Sequence, residues 1–379
     1  MPRGYTSPKN YALIMPDSIQ RAVEVLKAGG LVAMPTETVY GLAADANNVL
    51  AINKIFSSKG RPSGHPLIVH IAQPELNVPN DQQATSVAWQ EILSQWSRDV
   101  SPEALILANQ FWPGPLTMIL PKAKNVLLEV TGGQETIGIR CPQHPLAQQL
   151  LKEFGGGLAA PSANRFGKIS PTTAEHVHEE FPGNEILVLD GGPCDVGIES
   201  TIVDLTRLDT DGAVILRPGA ITQTMINHAL DAGVEVDRVA AKTASTTSKS
   251  DTSNTSNTSV PRVSGSLSAH YAPRTKLLVY DPKDAKSIFT RANETSGFKQ
   301  VAWVHFPKDL SANESGLKNV TKELVLPVES RVFARELYAM LRQLDALNLD
   351  CIFFEQLPDG IEWDAIRDRL GRASVGSGL

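Results

Sequence analysis

The sequence predicts an α/β fold arranged in two structural units. Apolar segments of strand length alternate along the chain with segments whose apolar residues recur at helical spacing. Between residues 243 and 259, 14 of 17 residues are Ser, Thr or Asn. Such a stretch buries too little surface to offset its ordering entropy, so we expect a flexible linker there. It separates about 240 residues from about 105, and both lengths are normal for a domain.

The first unit has the pattern of a sheet covered by helices. Ser18 is the predicted N-cap of an opening helix that ends at Gly29 and Gly30. Several predicted strands are wholly apolar, which is typical of strands buried on both faces. The predicted strands are residues 31–34, 67–71, 116–120, 136–140, 158–160, 186–189 and 201–204. The predicted helices are residues 50–57, 145–154, 171–181 and 222–232.

The second unit alternates strands and helices more regularly. Strands are predicted at residues 277–280, 301–306, 324–326 and 351–354, and helices at residues 282–292, 331–347 and 361–372. In the long helix, Phe333, Leu337, Met340, Leu341 and Leu344 line one face. This order predicts a small doubly wound, Rossmann-like unit. No G-x-G-x-x-G motif follows its first strand, so we do not expect dinucleotide binding.

The bulk composition excludes several classes of protein. A net charge of -6 argues against a surface that coats nucleic acid, although it permits one local basic pocket. Cys141, Cys194 and Cys351 lie far apart without C-x-x-C spacing, so we expect neither a metal site nor a disulfide framework. The N-terminus lacks an apolar signal core, and no apolar run approaches the roughly 20 residues that span a bilayer. We therefore expect a soluble cytoplasmic protein without membrane contact.

Polar residues cluster at strand ends in the first unit. Thr36, Glu37 and Thr38 follow the first strand, and Lys59 and Arg61 follow a predicted helix. Ligands of open α/β sheets collect beyond strand ends. With two arginines from later strands, Lys59 and Arg61 would supply up to four cations around one concavity, which suits a triphosphate. The further candidates are His70, Arg140, Ser162, Asn164, Ser200, Thr201 and Arg217.

Each of these residues also has a purely structural interpretation. A single surface Arg or Lys is usually a solvated charge, and His70 could be a core histidine with a satisfied ring. Ser162 and Asn164 could be turn formers only. Ser170, which proline follows, has the pattern of a helix N-cap.

Motifs of other chemistries are absent from the sequence. It contains no P-loop, no H-E-x-x-H and no G-x-S-x-G. Glu37 and Glu199 are candidates for a catalytic acid/base pair, but nothing in the sequence places them together.

Taken in order, eight segments resemble the threonylcarbamoyl-AMP synthase family, whose core is called the YrdC-like domain. The segments are residues 35–42, 59–62, 66–71, 112–117, 139–142, 160–164, 199–201 and 216–219. Any one of them alone would be weak, but eight in order over about 190 residues are specific. Residues 264–273 resemble the interdomain segment of the long, two-domain members.

The resemblance implies an activity and its substrates. Members of the family make L-threonylcarbamoyl-adenylate from L-threonine, bicarbonate or CO₂, and ATP, which brings Mg²⁺, and they release pyrophosphate. A downstream complex then transfers the threonylcarbamoyl group to the adenosine next to the anticodon of tRNA. We therefore expect a nucleotidyltransferase of tRNA processing.

The resemblance also assigns roles to individual residues. It places L-threonine on Thr38, His70, Arg140, Ser200 and the backbone of Ala160. It places ATP on Lys59, Arg61, His65, Thr136, Ser162, Asn164, Ser170 and Arg217, with Lys59 and Arg61 also catalytic. Some relatives have Asn at position 65. His270 and Tyr271 belong to a lid that folds over the active site.

Domain boundaries follow from the same resemblance. Residues 1–240 are expected to form a YrdC-like catalytic domain with a twisted open sheet. Residues 241–275 would be a flexible linker and lid segment, and residues 276–379 a Rossmann-like C-terminal domain.

Three rival functions stay open at the level of sequence. A basic cavity could bind RNA weakly, which would make the protein a nucleic-acid-binding module. The carbamoyl-transfer enzyme of hydrogenase maturation contains a related domain, but it carries zinc-binding cysteine clusters that three scattered cysteines cannot form. The third rival is a purely structural or regulatory protein.

Overall fold

A computed structural model describes residues 16–75, 82–183, 186–231, 235–236, 260–295, 297–307 and 315–378. These residues form two β-sheets with helices, which confirms the predicted α/β class. The larger sheet with its helices is called the first unit, and the smaller sheet with its helices the second unit. The predicted linker at residues 243–259 lies outside the described residues. The two domain boundaries, after residues 240 and 275, therefore stay a prediction.

The first unit is built on a mixed sheet with strand order β10-β9-β8-β4-β5-β3-β6-β2-β1-β7. Its strands are β1 Val32–Met34, β2 Gly41–Asp45, β3 Ile68–His70, β4 Leu116–Pro121, β5 Thr136–Arg140, β6 Leu158–Ala159, β7 Leu187–Val188, β8 Thr201–Asp204, β9 Val214–Arg217 and β10 Glu235–Val236. Its helices are α1 Pro16–Lys27, α2 Val49–Lys59, α3 Gln82–Ser94, α4 Pro102–Phe111, α5 Leu128–Thr131, α6 Pro145–Phe154, α7 Ala174–Glu180, α8 Leu208–Asp211 and α9 Gln223–Leu230.

Helices cover both faces of this sheet, as the apolar strands predicted. Val32 and Met34 of β1 belong to a core cluster with residues of α1 and α6. Ala33, which points the opposite way, belongs to the larger cluster with residues of α2, α3 and α4. Alternation along a single strand therefore supplies two separate cores.

The second unit is a parallel sheet of four strands within the described residues, in the order β11-β14-β12-β13. Its strands are β11 Lys276–Tyr280, β12 Val301–His305, β13 Val320–Val325 and β14 Cys351–Glu355. Its α-helices are α10 Ala285–Thr295, α11 Ser330–Ala346 and α12 Asp364–Gly376, and short 3₁₀ helices precede α10 at Pro282–Asp284 and α12 at Ile361–Trp363. The alternating order of strands and helices is the predicted one.

Two predicted helix starts were wrong. Ser18 lies inside α1, which already includes Pro16. The helix predicted at residues 171–181 begins only after Thr173, whose hydroxyl accepts the backbone N–H of His176. The carbonyl of Pro171 instead accepts the N–H of Tyr40, so this stretch is held against the first strand's loop. Ser170 is therefore not the N-cap of this helix.

Several elements have no counterpart among the predictions. The sequence prediction missed β2, which lies inside the first resembling segment, as well as β10 and the helices α3, α4, α5 and α8. The helices α5 and α8 have only four residues each, which is too short for a helical period to show, and exposed apolar residues such as Val87 in α3 and Ile106 in α4 weaken the period of the other two. Within the described residues, no helix combines the length and the apolar character needed to cross a membrane.

The burial pattern of α4 predicts a sharp contrast between two adjacent positions. Leu107 is fully buried, whereas Ile106 is 42% exposed. Because Leu107→Ala leaves a cavity in the larger core, we expect it to lower the free energy of unfolding by about 3 kcal/mol. The matched control Ile106→Ala should cost less than about 1 kcal/mol. Urea unfolding of both variants measures the difference, and equal losses would contradict the assigned orientation of α4.

Candidate active site

A small, partly enclosed cavity of about 40 Å³ lies at the strand ends of the first unit. A buried water needs about 10–15 Å³ of such space, so the cavity admits a few waters and no nucleotide. All five residues expected to hold L-threonine line it, and so do Ser162, Arg217, His270 and Tyr271. The structure therefore brings these distant sequence segments together, while their roles stay predictions.

Sheet pairing explains why two of these side chains meet. β3 and β5 are parallel neighbours, and His70 and Arg140 are register partners at their carboxyl ends. Arg217 ends β9 and pairs with Ile202 near the start of β8, next to Ser200. Four segments that are far apart in sequence thus end at one cavity.

The end of α2 positions two cations. Asn48 caps the start of α2, and Gly60 ends it in the left-handed conformation with φ 64°. Lys59 is therefore the last helical residue, and Arg61 is the first residue beyond the turn. Both side chains are buried.

Arg140 is held by two residues of the first resembling segment. Its guanidinium donates to the carboxylate of Glu37 at 2.6 Å and to the hydroxyl of Thr38 at 2.9 Å. The other oxygen of Glu37 accepts the N–H of Gln143 at 3.0 Å. The Nε of Arg140 is buried and has no hydrogen-bond partner within the part of the chain that the structure describes. Glu37 is thus committed to orienting Arg140 and is not free to act as a general base.

His70 is a neutral, buried histidine at the cavity wall. Burial and the neighbouring Arg140 lower its pKa to about 3. Its Nδ1 lies 3.2 Å from the carbonyl of Ile68. The structural and the ligand-binding interpretations of His70 therefore do not exclude each other, because the ring is both packed and exposed to the cavity.

Three buried cations lie at or directly behind the cavity wall and bond to uncharged oxygens: Arg217 lines the cavity, whereas Lys59 and Arg61 contact its lining residues Ser162 and Ser264. Lys59 Nζ donates to the carbonyls of Ser162 and Asn164, each at 2.5 Å. Arg61 donates to the carbonyl of Pro66, and Arg217 donates to backbone carbonyls that include that of Ser200. Among the described residues, none of the three cations has a carboxylate within ion-pair distance.

Burial lowers the pKa of all three cations, most strongly that of Lys59, where the nearby Arg61 adds to the effect. The pKa of Arg61 falls to about 10, so its guanidinium stays charged at neutral pH. An excess of buried positive charge is costly unless an anion compensates it. The site is therefore electrostatically prepared for an anionic ligand.

Glu199 lines the cavity, and its carboxylate, like that of Glu37, is fully engaged in hydrogen bonds. Its oxygens accept from the hydroxyl of Ser170 at 2.7 Å, the hydroxyl of Tyr338 at 2.8 Å and Nε of Arg369 at 2.9 Å. Although burial opposes ionisation, Arg369 and Arg217 lower its pKa to about 2. Glu37 and Glu199 are therefore two separate anchors for arginine, and the structure contradicts their reading as an acid/base pair.

The described part of the linker and lid segment, residues 260–275, closes the cavity; it is called the lid segment below. The carbonyl of Ser264 accepts from Arg217 at 2.8 Å. A Cβ on Gly265, which has φ 77°, would lie 2.3 Å from the hydroxyl of Tyr271. Tyr271 itself has φ 61°, a conformation that tyrosine rarely adopts. The turn is thus wound tightly around the tyrosine ring.

The two predicted lid residues are buried and uncharged. Burial lowers the pKa of His270 to about 3 and raises that of Tyr271 to about 12. Among the described residues, the Nδ1 of His270 and the hydroxyl of Tyr271 have no hydrogen-bond partner. Two unsatisfied buried polar atoms are costly, which favours a ligand that bonds to them.

The remaining predicted nucleotide residues lie around the cavity rather than in it. Thr136 lines a smaller adjoining space that Arg262, Val263 and Ser264 of the lid segment wall off. The other three, Ser170, Asn164 and His65, do not line the cavity. Ser170 bonds to Glu199, the side-chain amide of Asn164 donates to the carbonyl of Lys168, and His65 packs edge-on against Phe166.

Sequence reasoning missed four residues of the site. Ser264 and Gly265 line the cavity, and Tyr338 and Arg369 reach Glu199 from the second unit. Ser264 and Gly265 lay within the resembling interdomain segment, which was a usable signal. Tyr338 and Arg369 follow ordinary helical patterns, and nothing local distinguishes them.

Family models place the chain among known proteins. A model for Sua5, YciO and YrdC proteins, described as "Telomere recombination", matches residues 24–219. A second, described as "Threonylcarbamoyl-AMP synthase, C-terminal domain", matches residues 221–375. The fold and the site thus define a two-unit enzyme of the YrdC type. The chain belongs to the threonylcarbamoyl-AMP synthase family, which confirms the resemblance.

Individual relatives match over nearly the whole chain. A threonylcarbamoyl-AMP synthase of Pyrococcus abyssi is 34% identical over 358 residues, covering 94% of each chain. One of Bacillus subtilis is 35% identical over 360 residues, covering 94% of this chain and 93% of the relative. The structure of P. abyssi Sua5 complexed with L-threonine matches with a TM-score of 0.75 at 32% identity, covering 95% of this chain and 94% of that chain.

The engagement of Glu199 predicts a specific loss of stability in acid. Because its folded pKa of about 2 lies below the ordinary glutamate value of 4.5, its contribution is present above pH 4.5 and is lost as the pH falls toward 2. Between pH 5 and pH 3 the stability advantage of the wild type over Glu199→Gln should shrink by about 2 kcal/mol. Urea unfolding across this range measures it. The exposed Glu91→Gln should show no such change, and a constant Glu199→Gln difference would contradict the ion pair.

Proposed function

We propose that this protein synthesises L-threonylcarbamoyl-adenylate from L-threonine, bicarbonate or CO₂, and ATP, and that it releases pyrophosphate. One observation carries the proposal: Arg217 lines the cavity, Lys59 and Arg61 are buried behind its lining residues Ser162 and Ser264, and none of the three cations has a carboxylate within ion-pair distance among the described residues. Polyphosphate oxygens would supply the missing negative charge through charge-assisted hydrogen bonds. The name of the relatives and the threonine-bound Sua5 structure support the choice of product.

L-Threonine would occupy the part of the cavity bounded by Thr38, His70, Arg140, Ala160 and Ser200. Arg140 would take the threonine carboxylate, since its unpartnered Nε and its fixed orientation suit a second anion. The neutral ring of His70 adds no charge that would repel the ammonium group. The backbone at Ala160 would complete the wall.

ATP would use the cations and the polar residues around them. Lys59, Arg61 and Arg217 would exchange their carbonyl partners for phosphate oxygens, and Ser162, Asn164, Ser170, Thr136 and His65 would complete the contacts. Mg²⁺ would arrive with ATP, because no group of three acidic, His or Cys side chains suited to a metal occurs within the described ranges. The carboxylates of Glu37 and Glu199 are already bound to Arg140 and Arg369, respectively.

The reaction divides into two bond-forming steps. The threonine amine loses a proton and forms a C–N bond to CO₂, which gives a carbamate. A carbamate oxygen then bonds to the α-phosphorus of ATP, and the bond to the departing pyrophosphate breaks. Lys59 and Arg61 would stabilise the negative charge that develops on the phosphate oxygens. No covalent enzyme intermediate is required.

The product would feed a downstream complex that modifies the adenosine next to the anticodon of tRNA. We place the catalytic domain at residues 1–240, the linker and lid at 241–275 and the C-terminal domain at 276–379, and we propose that the protein works in the cytoplasm. An RNA-binding module would instead bind RNA without releasing pyrophosphate from ATP.

Pyrophosphate release tests the proposed function directly. Purified protein with ATP, Mg²⁺ and bicarbonate should release pyrophosphate when L-threonine is present and little when it is absent or replaced by serine. Release that ignores L-threonine would contradict the proposal. No release, together with salt-dependent RNA binding, would favour the binding module.

Removal of a single cation tests the phosphate contacts. Lys59→Ala and Arg61→Ala should fold and should lower kcat/KM by about 30- to 1,000-fold, since losing one charge partner costs about 2–4 kcal/mol of barrier. Lys124→Ala, which removes an exposed lysine of the first unit, is the matched control and should leave kcat/KM unchanged. Near-normal pyrophosphate release by both buried-site variants would refute their assignment.

A further inference from the structure

The second unit makes its most buried polar contacts with the wall of the cavity. Arg369 of α12 is fully buried. It donates from Nε to the carboxylate of Glu199 at 2.9 Å and from Nη1 to the carbonyl of Pro218 at 2.9 Å. Tyr338 of α11 adds a hydrogen bond to the same carboxylate. Two of the three side chains that bind the Glu199 carboxylate therefore come from the second unit.

The same face of α12 also holds the lid segment. Arg372 donates to the carbonyls of Ser266 at 2.8 Å and Leu267 at 2.5 Å, and its own carbonyl accepts the N–H of His270. The guanidinium of Arg369 lies 5.7 Å from the centre of the Tyr271 ring, within the range of a cation–π contact.

Asp368 keeps the two arginines in place. Its carboxylate accepts from Arg369 and from Arg372, each at 2.9 Å. Positions three and four apart share a helix face, so Arg369 and Arg372 both project towards the first unit. One helix face therefore contacts the cavity wall and the lid segment at once.

We propose that Arg369 is a positioning residue, which fixes Glu199 and Tyr271 together so that the second unit sets the closed state of the lid segment over the cavity. This inference rests on the proposed function only for the identity of the ligand, L-threonine. It gives the C-terminal unit a role in the site that the proposed chemistry alone does not require.

The contacts on the cavity side explain why this role is needed. Ser264 is held by Arg217 and, at 3.5 Å, by Arg61. When ATP takes these two cations, the lid segment loses those contacts. The contacts with Arg369 and Arg372 do not involve the proposed phosphate cations, so they persist and keep the segment near the site.

The test compares Arg369→Gln with Arg367→Gln in the full-length chain. Arg367 lies on the same helix, but it bonds only within the second unit, to the carbonyls of Pro358 and Gly360 and to Asp359 and Asp364. Hydrogen–deuterium exchange of residues 264–272 reports the lid without substrate. Titration calorimetry with L-threonine reports the ligand-binding consequence.

Arg369→Gln should speed exchange of residues 264–272 and weaken L-threonine binding, each by about tenfold or more, because charged hydrogen bonds are lost. Arg369→Lys should restore part of both, and Arg367→Gln should change neither. A folded Arg369→Gln protein in which either exchange or L-threonine affinity is unchanged overturns the proposal.

The proposal stays testable if Arg369→Gln does not fold or if the protein lacks the proposed activity. If Arg369→Gln does not fold, Tyr338→Phe and Arg369→Lys carry the same comparison, and unchanged exchange in both overturns the proposal. If the wild type shows no L-threonine-dependent pyrophosphate release, the proposed function fails. The exchange comparison still tests the positioning role in that case, since it needs no substrate.

Discussion

The buried carboxylate of Glu199 is the interaction on which the arrangement of both units depends. It sits directly before Ser200 in the cavity wall and carries a full negative charge beneath the lid segment. An isolated charge at that depth would cost several kcal/mol, and Arg369 together with two hydroxyls compensates it. Because Arg369 belongs to the second unit, the wall of the site is complete only when the two units are in contact.

Apolar packing and the Glu199–Arg369 ion pair contribute differently to the contact between the two units. Val39, Ile169 and Ile198 of the first unit share one core cluster with Leu337 and other residues of α11. Apolar burial supplies attraction without direction, whereas the bonds of Glu199 fix one relative orientation. The second unit therefore behaves as a part of the active-site frame rather than as a domain attached only through its linker.

Much of the fold was predictable from local patterns, and the failures have local causes too. β5 was predicted with its observed bounds, because a short apolar run ending in Arg140 is unambiguous. The helix at residues 171–181 was misplaced, because Ser-Pro is a common helix start and the competing bond between Tyr40 and Pro171 is long-range. Thr38, His70 and Arg140 were identified as site residues because they lie in segments that follow one another in the order of the family. Arg369 could not be found, since 170 positions separate it from Glu199 and its own helix looks ordinary.

In the structure, backbone carbonyl oxygens of the protein bind the cations at this site, where phosphate oxygens would bind in the proposed complex. Lys59 binds two carbonyls, and Arg217 binds the carbonyl of Ser264 in the lid segment. A phosphate oxygen is a stronger acceptor for these cations than a neutral carbonyl, so exchange of partners favours the ligand. In the proposed complex, the same exchange would release Ser264 and enlarge a space that otherwise admits only a few waters. Ligand entry and lid movement would then be one event at Arg217, while the contacts of α12 would keep the lid segment near the site.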